Sequence, residues 1–245
     1  MKTVTKSELY ASNSRYESNF QGRDQNLNQK SMIMWTGICG LLAAITVGLG
    51  EFLLHYDPLA RYGQSFDFFL DQSESHSTIG HFFGVLGAPL YVLGAVHIYM
   101  MLRPASNKLA AIAALIMAYG CIIGAVWIGS RSTASMIINL SPESVQDMQL
   151  ALYEFRYETL LTVVRIAVLV LSVIFVWLIL TGRTNYPRAM AILNPIFLIL
   201  VSFGIFFSVP AVGKFLMPIA LNVAFLIIFA VSTWIAIKQH SGEDV

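Results

Sequence analysis

The chain has 245 residues, 56% of them hydrophobic and only 12% charged, and its formal net charge is +1. Soluble domains carry roughly 25% charged residues, so this apolar surplus excludes an ordinary water-soluble globule. Neutralising phosphates needs a basic stripe, and no run of Lys and Arg exists here, so nucleic acid is not expected as a partner.

Residues 1–31 open the chain with a polar segment in which Ser, Asn, Gln, Arg and Asp dominate from Ser12 to Gln29. Without sustained apolar periodicity it reads as a disordered polar tail. It is too long and too polar for the leading region of a cleaved signal peptide, so the first apolar helix is expected to stay as an anchor. Six apolar stretches follow, at 32–54, 78–102, 108–129, 158–180, 189–209 and 214–237. About 20 residues at 1.5 Å rise cross the roughly 30 Å hydrocarbon layer of a bilayer. The expected fold is therefore all-α, a six-transmembrane-helix bundle occupying 32–238 as one domain, with a short tail at 239–245.

Charge sets the expected orientation. Arg15, Arg23, Lys30, Arg103, Lys108, Arg183, Arg188 and Lys238 fall on one side of such a bundle, against Arg61, Arg131, Arg156 and Lys214 on the other. The positive-inside rule then places both termini in the cytoplasm. The inner connections, 103–107 and 181–188, are short, and the outer ones, 56–77 and 130–157, are long. Long connections on a rigid scaffold are where function concentrates, which directs attention to the outer face.

The 56–77 connection mixes Phe66, Phe68, Phe69 and Leu70 with Asp67, Asp71 and Glu74, a composition suited to a short amphipathic piece at the interface or to a cap on the bundle. In the 130–157 connection, Ser141-Pro142-Glu143 reads as an N-cap, a proline at the first helical position and an acid at the positive helix end. A helix starting there either runs through Tyr153, Glu154 and Tyr157 into the fourth span or breaks near the interface. Gly80, Gly84, Gly87 and Gly94 line the second span, so it is expected to be central and closely packed. Pro89, Pro195 and Pro218 interrupt spans and are read as kinks, with Asn194 and Asn222 near enough to satisfy freed backbone groups. Cys39 and Cys121 both lie in apolar stretches and read as packing residues.

Ionisable residues in lipid mark sites worth testing. Glu51 and His55, at i and i+4, share one face near the outer end of the first span. His81 lies near the outer end of the second, Arg165 about 10 Å into the fourth and Asn222 at similar depth in the sixth. Trp127, Ser130 and Arg131 mark the outer end of the third. One reading pairs Glu51 with Arg165 as an ion pair that fixes helix register. Another makes Glu51 a general base and Arg165 an anion holder, with Trp127, Arg131 and Asn222 as substrate-binding groups. A third joins Glu51, His55 and His81, with Asp57 or His76 nearby, as ligands for a divalent metal such as zinc that keeps a position open for water. Bis-histidine haem needs facing histidines at matched depth, for which His55 and His81 are the one outer pair. His97, beside Tyr99 and Arg103, is expected at the inner interface.

The segments Gly50-Glu51-Phe52-Leu53-Leu54-His55-Tyr56, Gly87-Ala88-Pro89-Leu90-Tyr91-Val92-Leu93-Gly94 and Ala118-Tyr119-Gly120 resemble the pattern of an uncharacterised family of bacterial polytopic membrane proteins. That resemblance covers most of the chain beyond residue 31. It implies a bacterial inner-membrane location and no particular activity. The progestin-receptor-like and alkaline-ceramidase-like membrane hydrolases expect a His-xxx-His motif in the last helix, where this chain has Lys214 and Asn222 instead. Three function classes follow from the residues. They are a membrane-embedded enzyme acting on a lipid or other amphipathic substrate, a small-molecule transporter or binding protein, and a structural or sensory membrane protein. The bilayer is the expected partner in all three.

Overall fold

The computed structural model describes residues 6–62, 66–70, 72–140 and 143–241. Among the described residues the chain is all helix, with no strand. The first helix, α1, is continuous over Lys6–His55. The backbone of the polar segment from Lys6 onward is thus helical, contrary to the expected disordered tail. The chain contains no proline before Pro58, and Gly22 is the only glycine before Gly37. Once the apolar half of α1 is nucleated, extension back through the polar segment needs no new nucleus, which offsets the weaker helix propensity of its Ser and Asn residues.

The second span is divided. Helix α2, Glu74–Gly87, is capped by the Ser73 hydroxyl, which accepts from the His76 amide, and α3, Pro89–Leu102, follows with Pro89 at its first turn. Pro89 has no N–H to give, yet the Ala88 amide still bonds Gly84 O at 3.1 Å, so the two segments run on as one crossing with a kink. Helices α4, Asn107–Leu140, and α5, Glu143–Thr181, pack against each other along their length. The helix that begins near Glu143 therefore continues into the fourth span without a break. Its expected Ser141-Pro142 start lies outside the described residues, as do Asp71 and the Asp67 side chain.

The fifth stretch departs from a simple span. A 3-10 turn over Arg188–Leu193 precedes α6, Pro195–Ser208, because Pro187 and Pro195 interrupt the hydrogen-bond ladder. Asn194 caps α6 with its side-chain oxygen, accepting from the Phe197 amide at 3.1 Å. After Val209 the chain reverses into α7, Pro210–Leu216, a 3-10 turn over Met217–Ile219 and α8, Ala220–Ser241. Gly213 lets α7 fold back on α6, since a Cβ there would stand 2.1 Å from the Phe206 Cα. Among the described residues five helical stretches are long and apolar enough to cross a membrane, Asn28–His55, Glu74–Leu102, Asn107–Asn139, Gln146–Thr181 and Pro210–Gln239, and α6 is a shorter apolar helix. By length and composition the chain is a membrane protein.

Helix α1 is the hub, packed on α2, α3 and α8, while α3 joins it to α4. Backbone meets backbone between α1 and α2 at Gly50, where a Cβ would lie 2.5 Å from the Gly84 amide nitrogen and 2.7 Å from Gly80 O. Only hydrogen fits between backbones that close. The end of the bundle carrying the connection between α1 and α2 is the upper end. There Asp57 organises the chain reversal, accepting from the Leu59 amide at 3.1 Å and the Arg61 amide at 2.7 Å. Ala60 takes the left-handed conformation, φ 57°, to close this turn. The hydrogen-bonded Arg61 guanidinium, helped by the Arg61 and Leu59 amides, holds the Asp57 carboxyl below the usual carboxylate range. Phe68 and Phe69, in the 3-10 turn Asp67–Phe69, are buried against Ala134 and Tyr153. The connection thus caps the bundle with aromatic rings.

At the lower end His97 is fully buried, which corrects its expected interfacial position. Its Nδ1 lies 2.8 Å from Ile33 O and its Nε2 2.5 Å from Ser232 Oγ, and the Tyr186 hydroxyl meets the same Ser232 at 2.7 Å. A proton on Nδ1 given to Ile33 leaves Nε2 to accept from Ser232, so each buried group is satisfied. This chain ties α1, α3, α8 and the segment before α6 together.

Candidate functional site

Glu51 lies on the last turn of the buried face of α1, where the closeness permitted by Gly48 and Gly50 brings α8 and α2 alongside. Its partner is Arg131 of α4. Arg131 Nη1 donates to Glu51 Oε1 at 3.4 Å, with the arginine side chain fully buried and the glutamate side chain 9% exposed. Asn222 Nδ2 of α8 donates to the other carboxylate oxygen, and the Tyr91 hydroxyl of α3 donates to Asn222 Oδ1 at 2.7 Å. Arg131 Nη2 donates to the Tyr157 hydroxyl of α5 at 3.2 Å. The guanidinium also lies flat on Trp127, 3.7 Å from its ring centroid. Five helices therefore converge on one matched pair of charges, and both carboxylate oxygens are engaged.

Arg165 is not part of it. Its Nη1 donates to Glu158 Oε2 at 3.1 Å, and the two side chains are 61% and 50% exposed. The expected Glu51–Arg165 pair is replaced by Glu51–Arg131 inside and Glu158–Arg165 outside. Arg165 instead sits at the surface, paired with a residue of its own helix. Arg131, the sequence's candidate for substrate binding, takes the buried role beside Glu51.

The metal reading also separates. His55 packs edge-on against Phe68, ring centroids 4.8 Å apart, and its imidazole donates to the Pro218 carbonyl. His81 turns the other way, towards α4, with Nδ1 3.0 Å from Gly129 O and 3.4 Å from Ser132 Oγ. His76 lies in the first turn of α2. Among the described residues no three His, Cys, Asp or Glu side chains are placed to hold a metal ion, so Glu51, His55 and His81 do not form the expected zinc set. The i, i+4 spacing of Glu51 and His55 did put both on one buried face; neighbours on other helices then drew them apart.

Two hollows border the network. An inner one of about 60 Å³ is lined mostly by apolar side chains of α4 and α5, with Glu51, Tyr91, Trp127 and Asn222 as its polar rim. The buried Trp127 Nε1 has no hydrogen-bond partner among the described residues. The outer one is a cleft of about 590 Å³ between α5, the α1–α2 connection and the 3-10 turn at Met217–Ile219. His55 and Tyr157 line it, together with Tyr62, Phe66, Phe68, Glu154, Glu158 and Arg165. Tyr62 is fastened across it, its hydroxyl donating to Lys214 O at 3.0 Å. Tyr157 is thus the shared wall, touching the cleft and bonded to Arg131. Tyr91 and Tyr157 were missed from the sequence as members of the network; a tyrosine inside a span at the depth of Glu51 was the available signal.

No curated protein and no solved structure matches the chain. A family model matches nearly all of the helical region just described, from within α1 to the last turn of α8. Over residues 24–239 the chain belongs to the family of unknown function DUF6796.

Proposed function

We propose that this chain is a six-crossing protein of the bacterial inner membrane that binds an amphipathic molecule in the cleft between α5 and the α1–α2 connection. The observation that carries this reading is the cleft itself, about 590 Å³, with apolar Leu161 and Met217 in the same wall as Glu154, Glu158 and Arg165. A hollow that grades from apolar to charged side chains suits a molecule with a tail and a head. The Glu51–Arg131–Asn222 network serves as its rigid floor, transmitted through Tyr157, and Trp127 backs that floor.

Six crossings are supported by arithmetic on the fifth stretch. The 3-10 turn of 6 residues and α6 of 14 residues rise together about 33 Å. That is a membrane thickness. Trp35, Trp177 and Trp234, near the lower ends of the apolar span Asn28–His55, of α5 and of α8, are all exposed, as belongs to an interfacial aromatic belt. With the Lys/Arg bias of the lower connections, this supports both termini on the cytoplasmic side, the polar segment 1–31 and residues 239–245 with them, and the cleft outside. Cysteines at Ser75 and Ser106, in a background lacking Cys39 and Cys121, are then labelled from outside and inside respectively.

A second reading, turnover of the bound amphiphile with Glu51 as base, is favoured by the inner hollow at Glu51 and Trp127, which has room for water. Arg165 would hold the substrate at the cleft. The binding reading is tested by photolabelling with a phosphatidylcholine whose acyl chain carries a diazirine. Label at Tyr62, Phe66 or Tyr157 supports it. Label confined to the lipid-facing belt, such as Leu169 and Val173, refutes it. Release of lysolipid from the same lipid by the wild type and not by Glu51→Gln would favour turnover.

A further inference from the structure

We infer that the cleft selects amphiphiles whose headgroup is an organic ammonium, an inference that rests on the amphiphile-binding reading above. The chemistry of the wall carries it. Phe66 stands at its centre, edge-on to Tyr157 at 5.4 Å and 86° and 6.2 Å from Phe68, and Tyr62 lies 6.4 Å from Phe68. Aromatic faces at this spacing attract a cation through their quadrupoles and do not attract an anion.

The charges of the lining point the same way. Among the described residues of the lining Arg165 is the one guanidinium, and Glu158 already accepts from it at 3.1 Å. Glu154 on the same helix leaves the wall net negative. Arg131 adds nothing to this balance, because its charge is buried and met by Glu51. The His55 imidazole is turned to the Pro218 carbonyl. Lys214, on the far side of Tyr62, directs its ammonium towards Pro58 O and the Phe215 ring rather than into the lining. An anionic head would meet carboxylates and ring faces; an ammonium head meets both with the right sign.

The test uses the full chain purified in a neutral maltoside detergent and titrated calorimetrically with dodecyltrimethylammonium and, separately, dodecanoate. The expected result is saturable binding of the ammonium probe at least about tenfold tighter than that of dodecanoate, a preference of the size desolvated cation–π contacts provide. Glu154→Gln, at an exposed position, and Phe66→Leu each weaken the ammonium probe severalfold and leave dodecanoate unchanged. Added salt reduces the Glu154 contribution more than the Phe66 one. Tetramethylammonium, the head without the chain, competes at higher concentration, and failure to compete counts against headgroup recognition. Saturable but equal binding of both probes, lost together in Phe66→Leu, overturns ammonium selection while amphiphile binding stands. Absence of saturable binding by either probe removes both.

Discussion

Replacing Arg131 by Met keeps most of the aliphatic volume and removes the charge, so it isolates what the guanidinium does for Glu51. Arg131 is fully buried and the Glu51 side chain 9% exposed, which leaves the carboxylate with Asn222 as its one remaining protein partner, shielded from bulk solvent. Stranding one member of a buried pair costs about 3–5 kcal/mol. Glu51→Gln is expected to cost a similar amount, because Arg131 then keeps only the Tyr157 hydroxyl and the Trp127 face. The double variant relieves both penalties, and its loss should fall short of the sum of the singles by about 2 kcal/mol or more. Reversible unfolding in mixed micelles, followed by tryptophan fluorescence, measures all four proteins. A parallel cycle of Glu51→Gln with Arg165→Gln should be additive to within about 0.5 kcal/mol, since Arg165 pairs with Glu158 at the surface. Additivity in the Arg131 cycle, or coupling in the Arg165 cycle, would refute the assignment of the buried pair.

Gly50→Ala should destabilise by about 1–3 kcal/mol, because the new methyl meets backbone on α2, whereas Gly204→Ala, with nothing within 4 Å, should be neutral or stabilising by up to about 1 kcal/mol. Thermal unfolding in detergent separates the two. Ser232→Ala leaves buried His97 Nε2 and the Tyr186 hydroxyl unmatched and should cost about 1–3 kcal/mol, with most of the loss recovered when His97 and Tyr186 are both made Phe. For Asp57, the folded pKa lies below the ordinary 3.8, so the carboxylate's contribution is complete above that value and lost as pH falls through the lower, folded one. Hydrogen exchange at the Leu59 and Arg61 amides should stay slow at pH 5 and accelerate only below about pH 3.8; acceleration already at pH 5 would contradict the arrangement.

Apolar length made most of the fold legible. The spans at 32–54, 78–102 and 214–237 fall within helical stretches, because burying a backbone in hydrocarbon leaves few alternatives to helix. The stretch at 189–209 was less legible, since Pro187, Asn194 and Pro195 act locally on hydrogen bonding and leave the hydropathy of the window untouched. The polar start of α1 was misread for a related reason. Composition measures what can be buried, and a helix continued from an apolar segment does not need to bury anything. At the site, depth could be counted and angle could not. Glu51, Arg131 and Asn222 were all singled out, but which of Arg131 and Arg165 faces α1 is a matter of helix rotation, and that depends on glycines bringing α1, α2 and α8 to within van der Waals distance.

The hydrogen-only gap at Gly50 has a mechanical consequence. Two helices in backbone contact cannot slide past each other without first moving apart, and here the first is also tied to α4 by the buried charges and to α8 by the asparagine. These helices form the stationary frame of the molecule. On the amphiphile-binding reading, the part free to give way between Tyr62 and Tyr157 is the α1–α2 connection, because α5 is itself held to the frame by the hydrogen bond from Arg131 to Tyr157.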